Sequence, residues 1–442
     1  MLTRRQFAFS AALQAERRPN VLFILCDQWR RQDMPGFGHK DLVAPQLARL
    51  TGEGVAFTRA YVSNPVCAPS RAALHTGRYS HSVSMQWNGR LLPLEYPCLS
   101  HAYAEAGYKT GYIGKWHLDG GDRPGHTPPG PRRRGYQYWA AFNHGHDYFD
   151  FVYFGDDAKP VKGSGYEPDY QTGLALDFIE RNEASPFLLF VSYGPPHGPY
   201  RPPARHANTY KPEAITLREN VPAKFESEAR KLMAGYYGLC SSIDDNVGRL
   251  LTALDEKGLA GKTIVVFTSD HGDMLRSHGL EGKQLWYEES AGVPLLMRWP
   301  GQLTAGSKQD WLFNNIDVAP TLRGLCGLPP IEGAQGEDRS ALIRNKGTGE
   351  RPESIYVQGE LGTEREWRMV VRGWDKLVVD REMKPTHLYN LARDPLEQDN
   401  LAGDRGTIRR QEELLALMRR WIIKVSDRVP FPGREPAEDG NL

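Results

Sequence analysis

Residues 20–27 read Asn-Val-Leu-Phe-Ile-Leu-Cys-Asp, and this stretch decides the fold class. The apolar run from Val21 to Cys26 shows no alternation, so no side of it is suited to water. A strand of this kind is buried on both faces, as in a parallel sheet between helical layers. Pro19 precedes the run and Asp27 ends it. Two further runs share its character: Phe187–Tyr193, and Thr263–Ser269, which Asp270 ends. Helical patterns lie between them. Pro45–Glu53 is one, Ser70–Leu74 opens another, and Leu99–Ala106 is a third. A long amphipathic stretch runs from Phe225 to Lys257, with Leu232, Tyr236, Leu239, Ile243, Val247, Leu250 and Leu254 at helical spacing. Strands alternating with helices predict an α/β fold on a large, mostly parallel sheet. Chemistry in such sheets gathers at the carboxyl ends of the strands, where Asp27 and Asp270 fall.

The flanking segments differ. Residues 119–170 are rich in Gly, Pro, Arg, Tyr and His and lack periodicity, which predicts loops over the active face. Beyond residue 345, Ile355-Tyr-Val, Arg368-Met-Val-Val-Arg and Lys376-Leu-Val-Val predict an antiparallel meander. Thr407–Val425 then predicts a helix carrying Leu414, Leu415, Leu417, Met418, Trp421 and Ile422. The expected organisation is a catalytic domain at 18–345 and a smaller C-terminal α+β subdomain at 346–442. Within residues 1–17, Thr3-Arg4-Arg5-Gln6-Phe7 looks like a twin-arginine export signal, followed by a short apolar stretch. On that reading the protein is periplasmic or secreted; as a plain basic tail, the segment leaves it cytoplasmic.

The chain has 442 residues with a net charge of +1, which gives no basis for nucleic acid or an anionic membrane as the main partner. No stretch approaches the roughly 18 apolar residues of a membrane span. The five cysteines, Cys26, Cys67, Cys98, Cys240 and Cys326, are scattered without a CxxC pair. That pattern argues against a structural zinc site and a disulfide scaffold. Cys67 stands apart because a proline, a hydroxyl and a cation follow it in Cys67-Ala-Pro-Ser-Arg71.

Several polar residues end buried strands or sit in Gly/Pro turns: Asp27-Gln28, Cys67 with Arg71, Lys115-Trp-His117, His197 with Tyr200, Asp270-His271-Gly-Asp273, and Lys283. Singly, each also fits a structural role; Asp273, for instance, suits either support of a site or a helix cap after Gly272. Together they offer oxygen ligands for a cation, basic groups and a nucleophile, a set suited to cleaving an anionic ester.

Cys67-Ala-Pro-Ser-Arg71, followed by His75-Thr-Gly-Arg78, resembles the modification motif of type I sulfatases, in the alkaline phosphatase-like superfamily. Other segments resemble the same family in its order, among them RPNVLFILCDQ, GYKTGYIGKWHL, PPHGPY, IVVFTSDHGDML, GKQLWYEESAGVPLL and HLYNLARDPLEQDNLA. The resemblance implies an α/β/α sandwich and oxidation of Cys67 to formylglycine by a formylglycine-generating enzyme. The hydrated aldehyde carries two hydroxyls. One attacks sulfur; the other, deprotonated, re-forms the aldehyde and expels sulfate. A serine or thiol lacks that second hydroxyl.

The resemblance also assigns roles. Asp27, Gln28, Asp270 and His271, with residue 67, match the ligands of one divalent cation. Ca²⁺ is expected first, with Mg²⁺, Mn²⁺ or Zn²⁺ as alternatives, since an imidazole suits the last two. Arg71 and Lys115 match the groups holding the diol, His117 the base, and His197 and Lys283 the groups on sulfate and the leaving oxygen. His144, His146 and Tyr148 are candidate substrate contacts from the loop region. The expected activity is hydrolysis of a sulfate monoester on a small molecule or glycan. The alternative is a phosphonate monoester or phosphodiester hydrolase of the same superfamily.

Overall fold

The computed structural model describes residues 18–37, 40–121 and 123–431; the export-signal segment lies outside the described residues. The central sheet has eight strands. They are β1 (Asn20–Asp27), β2 (Val55–Phe57), β3 (Lys109–Lys115), β4 (Tyr138–Phe142), β5 (Phe187–Pro196), β6 (Thr263–Ser269), β7 (Leu295–Arg298) and β8 (Ser307–Gln309). Their spatial order is β8-β2-β7-β6-β1-β5-β3-β4. Every neighbouring pair is parallel except those made by β7, which runs antiparallel to β2 and β6. The three apolar runs of the sequence are therefore adjacent, with Val21 paired to Leu188 on one side and Ile264 on the other.

Alternate residues of β1 feed opposite cores. Val21, Phe23 and Leu25 join one cluster, which also holds Ala68 and Leu74, Tyr103 and Leu322. Leu22, Ile24 and Cys26 join the other, with Leu47, Phe178, Tyr236 and Leu250. The helices that supply these layers are α1 (Pro45–Glu53), α2 (Cys67–Thr76), α3 (Leu99–Glu105), α4 (Glu167–Arg181), α5 (Glu226–Glu256) and α6 (Val318–Leu325). All eight residues of β1 are buried, which is why its sequence shows no alternation.

Two expectations need correction. The helix read from Ser70 begins at Cys67, so residue 67 opens the first turn of α2. The stretch 119–170 is not all loop: β4 and the first residues of α4 lie within it. The start of α4, Glu167-Pro-Asp, carries the proline and acidic residues of a helix N-terminus, which in isolation resemble a turn.

Beyond residue 345, four strands form an antiparallel sheet in chain order: β9 (Ser354–Gly359), β10 (Trp367–Arg372), β11 (Asp375–Asp380) and β12 (Pro385–Asn390). One face packs on α7 (Ile408–Val425) through Leu414, Leu417 and Met418. The other, with Val357, Met369 and Val378, meets Tyr61, Ala291 and Leu312 of the larger part. Both faces are thus covered, and the two parts share a core.

His75, on α2, is fully buried among Trp116 and Phe190, with ring centroids 5.1 and 4.9 Å away. Burial, then Arg71 and Arg134, push its pKa down to about 3. The native state keeps this imidazole neutral, whereas the unfolded chain protonates it below about pH 6.5. A depressed folded value means that its stabilising contribution is complete above the unfolded value and is lost as pH falls toward the folded one. Denaturant melts should lose about 2 kcal/mol through His75 between pH 7 and pH 5. His75→Phe should flatten that part of the acid slope; parallel slopes for the two proteins would refute the assignment.

Candidate active site

Four neighbouring strands end at one place. Asp27 closes β1 and Lys115 closes β3, Asp270 follows β6, and His197 follows β5. Opposite them, α2 begins at Cys67, so a negatively charged group approaching residue 67 meets the favourable end of the helix dipole. Gly114 lets β3 approach β5 closely just before Lys115. Its φ is +97°, and a Cβ there would lie 2.1 Å from the carbonyl oxygen of Ser192. Gln28 and His117 also sit at positive φ, 76° and 58°, without being glycine. Such backbone is costly and persists where the surroundings enforce it.

The contacts are dense and largely buried. Arg71 donates from Nε to Asp270 Oδ2 at 2.8 Å and from one terminal nitrogen to Ser192 Oγ and the Lys115 carbonyl, both at 2.8 Å. Lys115 Nζ donates to Asp27 Oδ2 at 2.6 Å. Lys283 Nζ lies 3.2 Å from Cys67 Sγ, 3.0 Å from Gln28 Oε1 and 3.0 Å from His197 Nε2. Asp27, Arg71, Lys115, Asp270 and His271 are fully buried, while His197 and Lys283 are half-buried at the mouth.

This charge pattern fixes the protonation states. Burial works against the Asp27 carboxylate, yet Lys115, His197, Lys283 and Arg71 outweigh it and hold its pKa well below the usual range. Burial and Asp27 oppose the Cys67 thiolate, but Lys115, Lys283 and His271 prevail and lower its pKa. Burial, then Lys115, bring His117 down to about 3, and burial, then Lys283, bring His197 to about 3, so both imidazoles are neutral. The His117 ring lies 4.5 Å from that of His144, centroid to centroid.

One ligand atom each from Asp27, Cys67, Asp270 and His271 falls within 4.8 Å of the others. Two carboxylates, an imidazole and a side chain at position 67, all buried, form a donor set that suits one divalent cation. Gln28 completes it. Its amide nitrogen is bonded to Asp273, which also accepts from Tyr200 Oη at 2.8 Å, leaving Oε1 as the atom turned toward Lys283. Asp273 accepts in addition from the backbone of Leu275 at 2.9 Å and Gly282 at 3.1 Å and caps no α-helix. It holds the Gln28 amide nitrogen.

All six residues matched to the reaction and all five matched to the metal therefore converge. Of the loop residues, His146 and Tyr148 reach the cluster through Lys115 and His197, and His144 reaches it through His117. Ser192 is not marked by the sequence, and Tyr200 is marked there without a role of its own. Ser192 lies within an apolar strand run and carries no local signal; Tyr200 stood in the PPHGPY segment, where only His197 drew a role.

The sulfatase family profile matches residues 19–328, and the C-terminal profile of N-sulphoglucosamine sulphohydrolase matches 276–424. The chain belongs to the sulfatase family. This sulfatase is 34% identical over 420 residues to the ulvan-active sulfatase of Formosa agariphila, covering 93% of this chain and 82% of the relative. It is 25% identical over 502 residues to the N-acetylglucosamine-6-O-sulfatase of Bacteroides thetaiotaomicron, covering 94% and 88% of the two chains. Its fold matches that of BT4656, solved in complex with D-glucosamine-2-N,6-O-disulfate, with a TM-score of 0.85 at 24% identity over 93% of this chain and 99% of that one. The sulfatase is thus a sulfuric ester hydrolase. Among its described residues no helix is long and apolar enough to cross a membrane.

Proposed function

We propose that this sulfatase hydrolyses a sulfate monoester on a carbohydrate, using residue 67 as nucleophile after a formylglycine-generating enzyme has oxidised Cys67. The observation that carries the reading is the meeting of Cys67, Lys283 and His197 within about hydrogen-bond distance, beside the buried Asp27 and Asp270. The carbohydrate is supported by the relatives, whose names specify ulvan and N-acetylglucosamine 6-sulfate. The division into a catalytic domain at 18–345 and a subdomain at 346–442 is part of the same proposal. So is export through the Thr3–Phe7 segment.

Asp27, Gln28, Asp270, His271 and residue 67 would hold the cation, with calcium favoured by the oxygen donors. When bound, it supplies positive charge against the sulfate oxygens and favours an ionised hydroxyl on residue 67. The remaining work falls to the chain. Arg71 and Lys115 fix the diol and its charge. One hydroxyl oxygen forms a bond to sulfur while the bond from sulfur to the alcohol oxygen breaks. The Lys283 ammonium gives that oxygen a proton, and His197 holds Lys283 in place. The His197 tautomer suits this: Nδ1 donates to the Gly198 carbonyl at 2.8 Å, so Nε2 accepts from the Lys283 ammonium. Neutral His117 then takes the proton of the second hydroxyl, the aldehyde re-forms, and the carbon–oxygen bond to sulfate breaks. Water restores the diol.

The test is a desulfation screen over sulfated glycans and aryl sulfates, run beside a phosphodiester, with Cys67→Ala as the blank. Release of sulfate from a sugar by the matured enzyme alone is the expected result. A phosphodiester turned over faster than every sulfate would favour the alternative hydrolase. Dialysis against EDTA should lower kcat/KM at least about tenfold, and calcium should restore it and raise the melting temperature. Restoration by zinc but not calcium would show that the His271 imidazole selects the metal.

A further inference from the structure

The loop that carries His144, His146 and Tyr148 does more than border the site. Lys115 Nζ lies 3.2 Å from His146 Nε2, and Tyr148 Oη lies 3.5 Å from His146 Nδ1. Tyr148 Oη donates to the backbone carbonyl of His197 at 2.6 Å. The His146 ring lies flat on the His197 ring, with centroids 3.8 Å apart and planes 10° from parallel. The contacts close a ring through His146, Tyr148 and His197, to which Lys115 is joined at His146, and their directions agree. An ammonium only donates, so His146 Nε2 is the acceptor and Nδ1 bears the hydrogen, turned toward Tyr148. The hydroxyl of Tyr148 is committed to the His197 carbonyl and can receive that hydrogen.

Tyr148 is itself anchored. It is 1% exposed, its carbonyl accepts from Glu167 at the start of α4 at 2.8 Å, and its ring lies against Gly194 of β5. A Cβ at Gly194 would sit 2.6 Å from the tyrosine ring, so the strand leading to His197 has to approach without a side chain. The loop is thereby pinned to β5 and α4 and to the group at the end of β3.

We propose that His146 is a positioning residue for departure of the alcohol, fixing the plane of the His197 ring through the stack and the direction of Lys115 through the hydrogen bond. The inference rests on the reading of His197 and Lys283 as the groups at the leaving oxygen. It separates His146 from a substrate contact. The stack uses one face of its ring, Lys115 occupies Nε2, and Nδ1 faces Tyr148. Misdirection of His197 harms a poor leaving group, which needs a proton, more than a good one, which departs as an anion.

The test uses the full-length matured enzyme with 4-nitrophenyl sulfate and 4-methoxyphenyl sulfate. His146→Ala should lower kcat for the methoxy ester by about 30-fold and for the nitro ester by about threefold, with KM nearly constant. His146→Phe keeps a flat ring on His197 and should recover most of the loss. A raised KM with unchanged kcat would make His146 a substrate contact, and equal losses on both esters would make it merely structural; either result overturns the proposal. A crystal structure of the His146→Ala protein supplies a readout independent of turnover. The expected finding is a His197 ring rotated away from Lys283, and an unmoved ring would likewise overturn the proposal. Should the wild-type enzyme cleave neither ester, the aryl-sulfate arm of the functional reading fails, while the ring orientation still decides the role of His146.

Discussion

Cys67→Ala is expected to abolish turnover, by a factor on the order of 10⁴ to 10⁶ in kcat, the scale seen when a covalent nucleophile is removed. The fold should survive, because the thiol is a small side chain in the first turn of α2 and packs mainly against polar groups. Its sulfur lies 3.2 Å from both Lys283 Nζ and His271 Nε2. A melting curve near that of the unmatured wild type would separate loss of chemistry from loss of structure. Cys67→Ser is the sharper variant. Serine offers one hydroxyl, so it can accept a sulfuryl group but has no second oxygen on the same carbon with which to expel sulfate. At most one turnover per molecule is expected, followed by a stalled sulfate ester visible by mass spectrometry. Activity of the wild type should scale with the fraction of molecules whose residue-67 peptide has exchanged sulfur for oxygen and lost two hydrogens. Full activity in a preparation whose Cys67 is wholly unmodified would sink the proposed chemistry.

The residues that show themselves in the sequence do so for a physical reason. The runs at β1, β5 and β6 stand out because both faces of the sheet are covered, so apolar residues follow one another without polar alternation. Asp27 and Asp270 are legible because each ends such a run, whereas Lys115 is legible only through the GYKTGYIGKWHL segment. The strand β3 gives no such signal. Its sequence, Lys-Thr-Gly-Tyr-Ile-Gly-Lys, carries two glycines, and those glycines are needed for close approach rather than for a turn between elements. The fourth strand of the C-terminal sheet, β12, opens with Pro385 and carries His387. It forms the end of that sheet, where proline is tolerated, and so lacks an apolar run. Ser192, Tyr200 and Asp273 serve the site only through the folding of distant segments onto one another. Arg71 and Ser192 are 121 positions apart, and Gln28 and Asp273 are 245 apart. No local spacing encodes such pairs.

The seam between the two parts of the molecule carries the second large expected effect. Lys376, on β11, is fully buried, with Nζ 3.0 Å from Glu288 Oε1 and 2.7 Å from Glu397 Oε1. Glu288 is also paired to Arg31 and accepts from Tyr61 Oη at 3.0 Å, and Glu397 accepts from the Glu288 backbone at 2.7 Å. Burial works against the Glu288 carboxylate, but Lys376 and Arg31 bring it to about 2. Burial, with Glu288 and Glu289, pushes Glu397 up to about 8 despite Lys376. Replacing the two charges together by apolar groups could cost little, whereas removing one strands the others in a dry interior. Lys376→Met should therefore destabilise the protein by about 3–5 kcal/mol in denaturant melts near pH 7. The sign of its pH dependence follows from Glu397. A carboxyl whose folded pKa is raised binds its proton more tightly in the native state than in the unfolded chain, so stability falls as pH rises toward the folded value. Without Lys376 that value moves higher still. The deficit of the variant should then widen above pH 8, where the wild-type group has finished titrating but the variant's has not. Lys376→Met combined with Glu397→Gln should recover part of the loss and remove the alkaline widening. Because Glu288 follows Lys283 by only a few residues, activity of the single variant should fall at temperatures below its unfolding transition. A single variant that melts with the wild type across this pH range would mean that the seam is held by its apolar contacts, Tyr61, Leu312 and Met369 among them, and not by the buried charges.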